Sequence, residues 1–296
     1  MVVIGGGVVA CESVTWLHGL GSEQLTVVEG SQRLLGRTEP FAGELVAQQF
    51  GKVGIDVRLG ARAASVRREG PRDTGEGHVH GGEVTLTLED GTSVTADEIV
   101  VAAGRTPNSD DLGLDTVGVA ANEHGYLDVD DHLTVTGSQW LYAVGDLCGR
   151  ALLTHMGKYQ GRIAADVILG KDARIVSDGL LSPRVIFTDP QVAAVGHTLA
   201  SAEEAGLKVR AVDVPTSSNA GASFVGRNAP GTSRLVVDEG GVIVGATFTG
   251  VEVAESLHAA TIAVTCELRL EQLVHAVACF PTRSELWLKL LEADGL

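Results

Sequence analysis

The first thirteen residues, MVVIGGGVVACES, carry consecutive glycines between a short apolar run and a helical pattern. Gly5, Gly7 and Ala10 fit the pattern G-x-G-x-x-G/A, in which the first glycine turns the chain and the second lets backbone approach a pyrophosphate. The small third residue lets the helix pack closely on the strand. A helix beginning near Val8 would point its free N–H groups at the phosphates. The segment therefore predicts a Rossmann-like, dinucleotide-binding strand, turn and helix.

A carboxylate follows at the end of the next apolar run, LTVVEG, where Glu29 lies 24 positions after Gly5. Such a carboxylate can accept hydrogen bonds from a ribose 2′-hydroxyl and would repel a 2′-phosphate, so it favours NADH over NADPH. Arg33 and Arg37 are close enough in sequence to leave NADPH open. An ordinary solvated strand-end carboxylate is the alternative interpretation of Glu29. Gly6 is interpreted as merely tolerated in the turn.

The alternation of strand and helix continues after this carboxylate. EPFAGELVAQQFGKVG predicts a helix and IDVRLG a strand. EVTLTLEDGTSVTADEIVVAAG predicts a hairpin around Asp90 and Gly91, followed by a buried strand over residues 99–102. Residues 70–82, rich in glycine and charge, are predicted to form a loop.

A second apolar strand is predicted in GSQWLYAVGDLCG, ending at Gly145 and Asp146 before a helix in LLTHMGKYQGRIAADVIL. Open α/β sheets bind ligands at the carboxyl ends of their strands, so Asp146 suits a polyol hydroxyl. Capping of the following helix is the alternative for Asp146. From about Leu181, strands paired by a glycine turn and two long helical patterns predict an α+β unit.

Length and charge limit the function classes. The 296 residues suffice for about two domains. With 22 basic and 38 acidic residues the net charge is −16, which opposes binding to nucleic acid or an anionic membrane. No apolar run reaches the length of a membrane span, and no secretory signal precedes the glycine turn, so a soluble, cytoplasmic protein is expected.

Metal and disulfide sites are not predicted. The cysteines are far apart and include no C-x-x-C pair, so we interpret them as four buried thiols; they are Cys11, Cys148, Cys266 and Cys279. His78 and His80 are separated by one residue but have no third ligand nearby in sequence, which favours a solvated loop.

Five segments together resemble the flavoprotein pyridine nucleotide–disulfide oxidoreductases. VVIGGGVVACE is similar to the internal NAD-binding turn of that family, VVAAGRTPN to its A-x-G-R-x-P-N signature, and LYAVGD to its second flavin-binding motif. LLTHMGKYQGRIAA and PRVIFTDPQVAAVG resemble the next helix and the entry into the dimerisation domain. The resemblance implies an α/β fold with an NAD(P)-binding domain (1–107), the C-terminal part of an FAD-binding domain (108–178) and an α+β dimerisation domain (179–296).

The resemblance also implies FAD and NAD(P)H as cofactors. The residues implied to bind them are Gly5, Gly7, Ala10, Glu29, Gly104, Arg105, Gly145, Asp146, Thr154 and His155. Asp146 is expected to bond the ribityl chain of the flavin, and Thr154 and His155 to lie beside its ring at a helix N-terminus. A homodimer formed through the last domain is implied, although its helices could equally pack on their own sheet.

Three departures from the family pattern bear on activity. The FAD-binding half that ordinarily comes first is absent, so the sequence looks like a truncated or split member, and the redox pair C-x-x-x-x-C belongs to that half. CFPTRSELW replaces the family's H-P-T-x-S-E, which puts Phe280 at the position of the acid–base histidine. Phenylalanine cannot carry a proton, so no catalytic residue is assigned; Glu285 is expected to cap or pair locally, and His275 is a poor substitute.

The leading functional hypothesis is therefore an FAD-dependent NAD(P)H oxidoreductase that passes hydride from nicotinamide to flavin and on to a quinone-like or other acceptor, without a thiol relay. One alternative is a disulfide reductase, similar to dihydrolipoamide dehydrogenase, whose thiols lie in the missing half. Another is an inactive fragment that binds NAD(H) and dimerises. A companion FAD half is an expected partner, and the isolated chain is expected to be poorly soluble or low in flavin because unpaired strand edges would be exposed.

Overall fold

A parallel sheet with the order β3-β2-β1-β9 begins the chain, in a computed structural model that describes residues 1–296. Its first elements are β1 (Val2–Ile4), α1 (Val8–Gly19), β2 (Thr26–Glu29), α2 (Pro40–Lys52) and β3 (Asp56–Leu59). β1 pairs in parallel with β2 on one side and with β9 (Ile99–Val101) on the other. The predicted Rossmann-like strand, turn and helix are confirmed.

A three-stranded antiparallel sheet, β4-β7-β8, is inserted before β9. Its strands are β4 (Ala63–Arg68), β7 (Val84–Leu88) and β8 (Ser93–Ala96), and the predicted hairpin at Asp90 and Gly91 joins the last two. The loop predicted over residues 70–82 instead contains a small antiparallel pair, β5 (Arg72–Asp73) and β6 (Val79–His80).

The prediction that residues 99–102 form a buried strand is wrong in its burial. β9 lies at the edge of the parallel sheet, where it pairs with β1 alone. Val101 is consequently 69% exposed. An apolar run of this length does not reveal from sequence whether both of its faces will be covered.

Residues 104–184 contain little regular structure apart from α3 (Thr154–Ile168), the helix predicted after Asp146. The strand predicted in WLYAV does not form. That segment makes a single isolated bridge, between Tyr142 and Thr134, and Trp140 is 65% exposed. A strand needs a neighbouring strand to bond its backbone N–H and C=O groups, and no strand of this structure pairs in parallel with this segment.

The last part of the chain is the predicted α+β unit. Its five-stranded sheet has the order β10-β11-β14-β13-β12, with antiparallel pairing of β11 with β14, β14 with β13 and β13 with β12. The strands are β10 (Arg184–Ile186), β11 (Gln191–Gly196), β12 (Val209–Pro215), β13 (Thr232–Asp238) and β14 (Ile243–Gly250). The helices are α4 (Leu199–Glu204), α5 (Leu257–Thr265) and α6 (Leu286–Asp294).

The first of the two long helical patterns is broken into pieces. α5 ends at Thr265, Glu267 takes a left-handed conformation with φ of 52°, and residues 270–275 form a 3₁₀ helix. A left-handed residue cannot continue a right-handed helix, so the helix is shorter than the apolar spacing predicts. α6 packs on the sheet through an edge-to-face contact between Trp287 and Phe248, with ring centroids 6.1 Å apart.

Contacts divide the chain into two units. One contains Met1–Ala103 together with Val185–Leu296, and the other contains Gly104–Arg184. Within the first unit a shared apolar core joins the two stretches, because Ile186 and Val192 pack with residues of α1 and α2. The division into domains 1–107, 108–178 and 179–296 remains a prediction. None of the helices combines the length and apolar character needed to cross a bilayer.

Candidate functional site

The glycine turn between β1 and α1 is held by backbone on one side and open on the other. Gly5 has φ of +114°, and a Cβ there would lie 2.5 Å from the carbonyl oxygen of Ala102. A Cβ at Gly7, in contrast, would meet no atom within 4 Å. Ala10 is fully buried, as a small residue at the helix–strand contact should be. Gly5 and Ala10 therefore serve the fold, while the space at Gly7 is available to a ligand.

Gly6 brings the turn against Glu29, a relationship that the sequence interpretation missed. A Cβ at Gly6 would lie 2.7 Å from Glu29 Cγ and 2.8 Å from Cδ2 of Leu34, which is fully buried. Glu29 Oε1 accepts a hydrogen bond from the backbone N–H of Ser31 over 2.6 Å. The interpretation of Gly6 as merely tolerated is wrong, since only glycine lets this carboxylate lie beside the turn.

The N-terminus of α1 has the features of an anion-binding helix end. Gly7 is its N-cap, so no side chain caps the first N–H groups, and Val8 and Val9 are 42% and 55% exposed. Unpaired N–H groups at a helix N-terminus attract phosphate. The buried Cys11 one turn later is inert, because burial, and secondarily the carboxylates of Glu29 and Glu12, raise the pKa of its thiol from 9.0 to about 12.

In the unit formed by residues 104–184, Asp146 lies at the wall of an open pocket. The pocket has a volume of about 470 Å³, and its lining includes Arg105, Leu112, Tyr126 and Asp146. The carboxylate of Asp146 forms an ion pair with the Arg105 guanidinium, and the two side chains are 47% and 48% exposed. A polyol hydroxyl could reach a carboxylate held in this way.

Asp146 does not cap the helix that follows it, so the alternative offered by the sequence is wrong. Asp146 belongs to a 3₁₀ turn over Gly145–Cys148, whereas α3 begins at Thr154 with Leu153 as an N-cap that makes no side-chain hydrogen bond. His155 shares a hydrogen bond of 2.8 Å with the carbonyl oxygen of Pro183. Pairing with Arg105 takes the place of the predicted cap.

The remaining predicted positions are exposed or unpaired. Gly104 is exposed, and a Cβ there would meet nothing within 4 Å. Phe280 is 77% exposed. Glu285 is the N-cap residue of α6, but its side chain makes no capping hydrogen bond and its Oε2 atom is buried without a partner, so the expectation that it caps or pairs locally is wrong for this oxygen. A carboxylate oxygen left in this state costs free energy, which marks the position as unusual.

The interpretation of all four cysteines as buried is also wrong. Cys11 and Cys148 are buried, but Cys266 and Cys279 are exposed, and no pair forms a disulfide. Cys266 comes directly after the last residue of α5, and Cys279 lies in an irregular segment before α6. No group of three or more potential ligands gathers anywhere in the chain to hold a metal ion.

The structure thus gathers the predicted residues into two groups. Gly5, Gly7, Ala10 and Glu29 lie together at one end of the parallel sheet. Gly145, Asp146 and Arg105 lie together in the other unit, with α3 packed on their turn. The roles of these residues in cofactor binding remain predictions. A fully buried Gln160, which the sequence interpretation did not single out, contacts the second group.

Comparison with known proteins assigns residues 1–161 and residues 182–290 to two family models. Residues 1–161 match the family model described as pyridine nucleotide-disulphide oxidoreductase, and residues 182–290 match its dimerisation domain. Dihydrolipoyl dehydrogenase of Chlamydia muridarum is 32% identical over 287 residues, which cover 97% of this chain and 58% of that protein. The Bacillus subtilis dihydrolipoyl dehydrogenase is 31% identical over 294 residues, covering 99% and 60%.

A solved structure shows the same fold. LpdA from Mycobacterium tuberculosis superposes with a TM-score of 0.85 at 27% identity, over 99% of this chain and 60% of that one. The chain therefore spans about 60% of the length of the relatives that it matches. The match to the family model over residues 1–161 establishes that this chain belongs to the pyridine nucleotide-disulphide oxidoreductase family.

Proposed function

We propose that this chain carries the nicotinamide-binding part of an FAD-dependent NAD(P)H oxidoreductase that passes electrons through flavin to a quinone-like or other acceptor without a thiol relay. The observation that carries the proposal is the empty space at Gly7 in front of the uncapped N-terminus of α1. Bound nicotinamide and flavin would supply the hydride chemistry. The chain would bind and orient them and would dimerise through its last domain.

For the dinucleotide, each group at the turn has a defined task. The first N–H groups of α1 would donate to the pyrophosphate, and the absence of a side chain at Gly7 lets the phosphate come close. Glu29, fixed by the N–H of Ser31, would accept from the ribose 2′-hydroxyl. Its negative charge favours NADH over NADPH.

For the flavin, the residues present fit the polyol part. Asp146 presents a half-exposed carboxylate at the wall of the pocket, where it could accept from a ribityl hydroxyl in place of its present partner, Arg105. The N-terminus of α3, beside Thr154, has no side-chain cap and so offers free N–H groups to negative charge. The chain would thereby bind one end of the flavin.

The absence of thiol chemistry from this chain is supported by the cysteines and by Phe280. Thiol–disulfide exchange needs two sulfurs within bonding distance, and no cysteine here has such a partner. Phe280 has no proton to give, so protonation of a leaving thiolate could not come from this position. Direct transfer from flavin to a diffusible acceptor needs neither group.

NADH titration of the purified chain tests the first step. Gly7→Ala should leave the free energy of unfolding within about 1 kcal/mol of the parent because its Cβ meets no protein atom. It should weaken NADH binding about tenfold, since the Cβ enters the space reserved for phosphate. Gly19→Ala, also in open space at the far end of α1, is the matched control and should bind normally. Equal affinity in both variants would refute this use of the turn.

A disulfide reductase is the second candidate, favoured by the similarity to dihydrolipoyl dehydrogenases at 31–32% identity. This chain combined with a companion FAD half separates the two activities when NADH-driven reduction of a quinone and of lipoamide is measured side by side. Quinone reduction alone supports the proposal, whereas lipoamide turnover favours the second candidate. Binding of NADH with neither activity would identify a non-catalytic, nucleotide-binding fragment.

A further inference from the structure

Gln160 is the polar side chain of α3 that contacts the turn carrying Asp146. It has no exposed surface, and its Oε1 atom accepts a hydrogen bond of 2.7 Å from the backbone N–H of Gly145. The same oxygen lies 3.5 Å from Cys148 Sγ, at the other end of the turn. One side-chain oxygen therefore bonds the first residue of the 3₁₀ turn Gly145–Cys148 and approaches the last, whose thiol donates over a shorter 3.1 Å to the carbonyl oxygen of Gly145.

The turn needs such a fixed point because its backbone is unusual. Gly145 has φ of +71°, a left-handed conformation, and a Cβ on Gly157 of α3 would lie 3.2 Å from the Cα of Gly145. The helix therefore touches the turn at a contact between two glycines, which makes no directional bond. Without Gln160 the Val144–Gly145 peptide, which carries the bonded N–H, would lose its hydrogen bond to α3.

The other half of the Gln160 amide argues against a role in packing alone. Nε2 is buried and has no hydrogen-bond partner. An unpaired buried N–H group costs free energy, so a methionine of similar volume would be expected here if filling space were the whole task. Glutamine at this position is explained by the need for the Oε1 acceptor.

We propose that Gln160 is a positioning residue that fixes the start of the 3₁₀ turn Gly145–Cys148 and thereby sets where the Asp146 carboxylate lies in the pocket. The assignment of a ligand to that carboxylate rests on the proposed function. The geometric part does not depend on it, since it concerns the hydrogen bond to the Gly145 amide.

Amide hydrogen exchange at Gly145, measured on the purified chain by NMR, tests the geometric part directly. Gln160→Met removes the acceptor together with the unpaired donor, so the two effects on stability oppose each other and the melting temperature should change little. Exchange at Gly145 should nevertheless accelerate about tenfold, as loss of one hydrogen bond predicts. Gln160→Glu keeps an acceptor and should keep most of the protection. Lys158→Met, an exposed substitution on the same helix, should leave Gly145 unchanged.

FAD binding, followed by quenching of flavin fluorescence, gives the functional arm. Gln160→Met should weaken FAD binding about tenfold relative to the parent and to Lys158→Met, while Gln160→Glu restores part of it. Unchanged exchange at Gly145 in Gln160→Met would overturn the proposal whatever the flavin result. Failure of the parent itself to bind FAD, alone or with a companion half, would count against the proposed function instead.

Discussion

Glu39 and Arg234 form a buried ion pair between residues 195 positions apart, with 2.9 Å between Glu39 Oε2 and Arg234 Nη1. Glu39 is the N-cap of α2 and is 1% exposed, and its other oxygen accepts from the backbone N–H of Leu199. Arg234 on β13 also binds Asp213 and lies over the ring of Phe41. These contacts join α2, which follows β2 of the parallel sheet, to the C-terminal sheet within one unit.

Glu39→Ala should lower the free energy of unfolding by about 2 kcal/mol, because Arg234 loses one of its two carboxylate partners and the backbone N–H of Leu199 loses its acceptor. Urea denaturation measures this change. The exposed pair between Lys208 and Glu239 supplies the control, and Glu239→Ala should cost about 0.5 kcal/mol. A cost for Glu39→Ala as small as that of the control would show that the two sheets are held together by their apolar core alone.

Glu98 predicts a loss of stability in acid. The hydrogen bonds from the Arg68 guanidinium are the main reason that the pKa of Glu98 falls from 4.5 to about 2 in the folded chain. A carboxylate whose folded pKa is depressed stabilises the fold above its unfolded pKa, and the contribution disappears as the pH falls from about 4.5 toward 2. Glu98→Gln should therefore be less stable than the parent at neutral pH and should approach it in acid.

Denaturation of Glu98→Gln and of the parent across that pH range provides the comparison. In an Arg68→Met background, which lacks the guanidinium, the same substitution should show a smaller dependence on pH. A difference between Glu98→Gln and the parent that stays constant from neutral pH to about pH 2 would contradict the role of the Arg68 contact.

The cysteines should divide into two classes of reactivity. Cys266 and Cys279 are exposed, so a thiol reagent at about pH 8 should modify two groups per folded chain rapidly. Cys11 and Cys148 are buried, and burial raises the pKa of both thiols, so they should react only after unfolding. Replacement of Cys266 and Cys279 by serine should abolish the rapid phase, and a rapid phase that survives would mean that a buried thiol becomes accessible.

Coenzyme preference should depend on the charge of Glu29. Glu29→Gln keeps hydrogen-bonding atoms beside Gly6 but removes the repulsion of a 2′-phosphate, so the ratio of NADPH to NADH affinity should rise about tenfold. Titration of both coenzymes measures the ratio. Glu44→Gln makes the same change of charge at an exposed position of α2 and should leave the ratio unaltered. Equal ratios in the two variants would assign Glu29 to a solvated strand end.

Local features of this chain could be predicted from sequence, and features that depend on distant partners could not. Gly5, Gly7 and Ala10 act within one turn, so their spacing alone predicts the strand, turn and helix that form. The WLYAV segment has the composition of a strand, but whether a strand forms depends on neighbours elsewhere in the chain. Gln160 looks like an ordinary helical residue in sequence, and only the structure shows that its side chain accepts a hydrogen bond from Gly145. Glu39 and Arg234 carry no sequence signal that links them.

Gly5 and Gly7 differ in how the effect of a substitution at each position would be detected. A side chain at Gly5 collides with the protein's own backbone, so the cell's quality control could recognise and remove the product. A side chain at Gly7 collides with nothing in the empty protein. Such a chain would fold and accumulate normally, and under the proposed function its defect would be detected only as a loss of nucleotide binding.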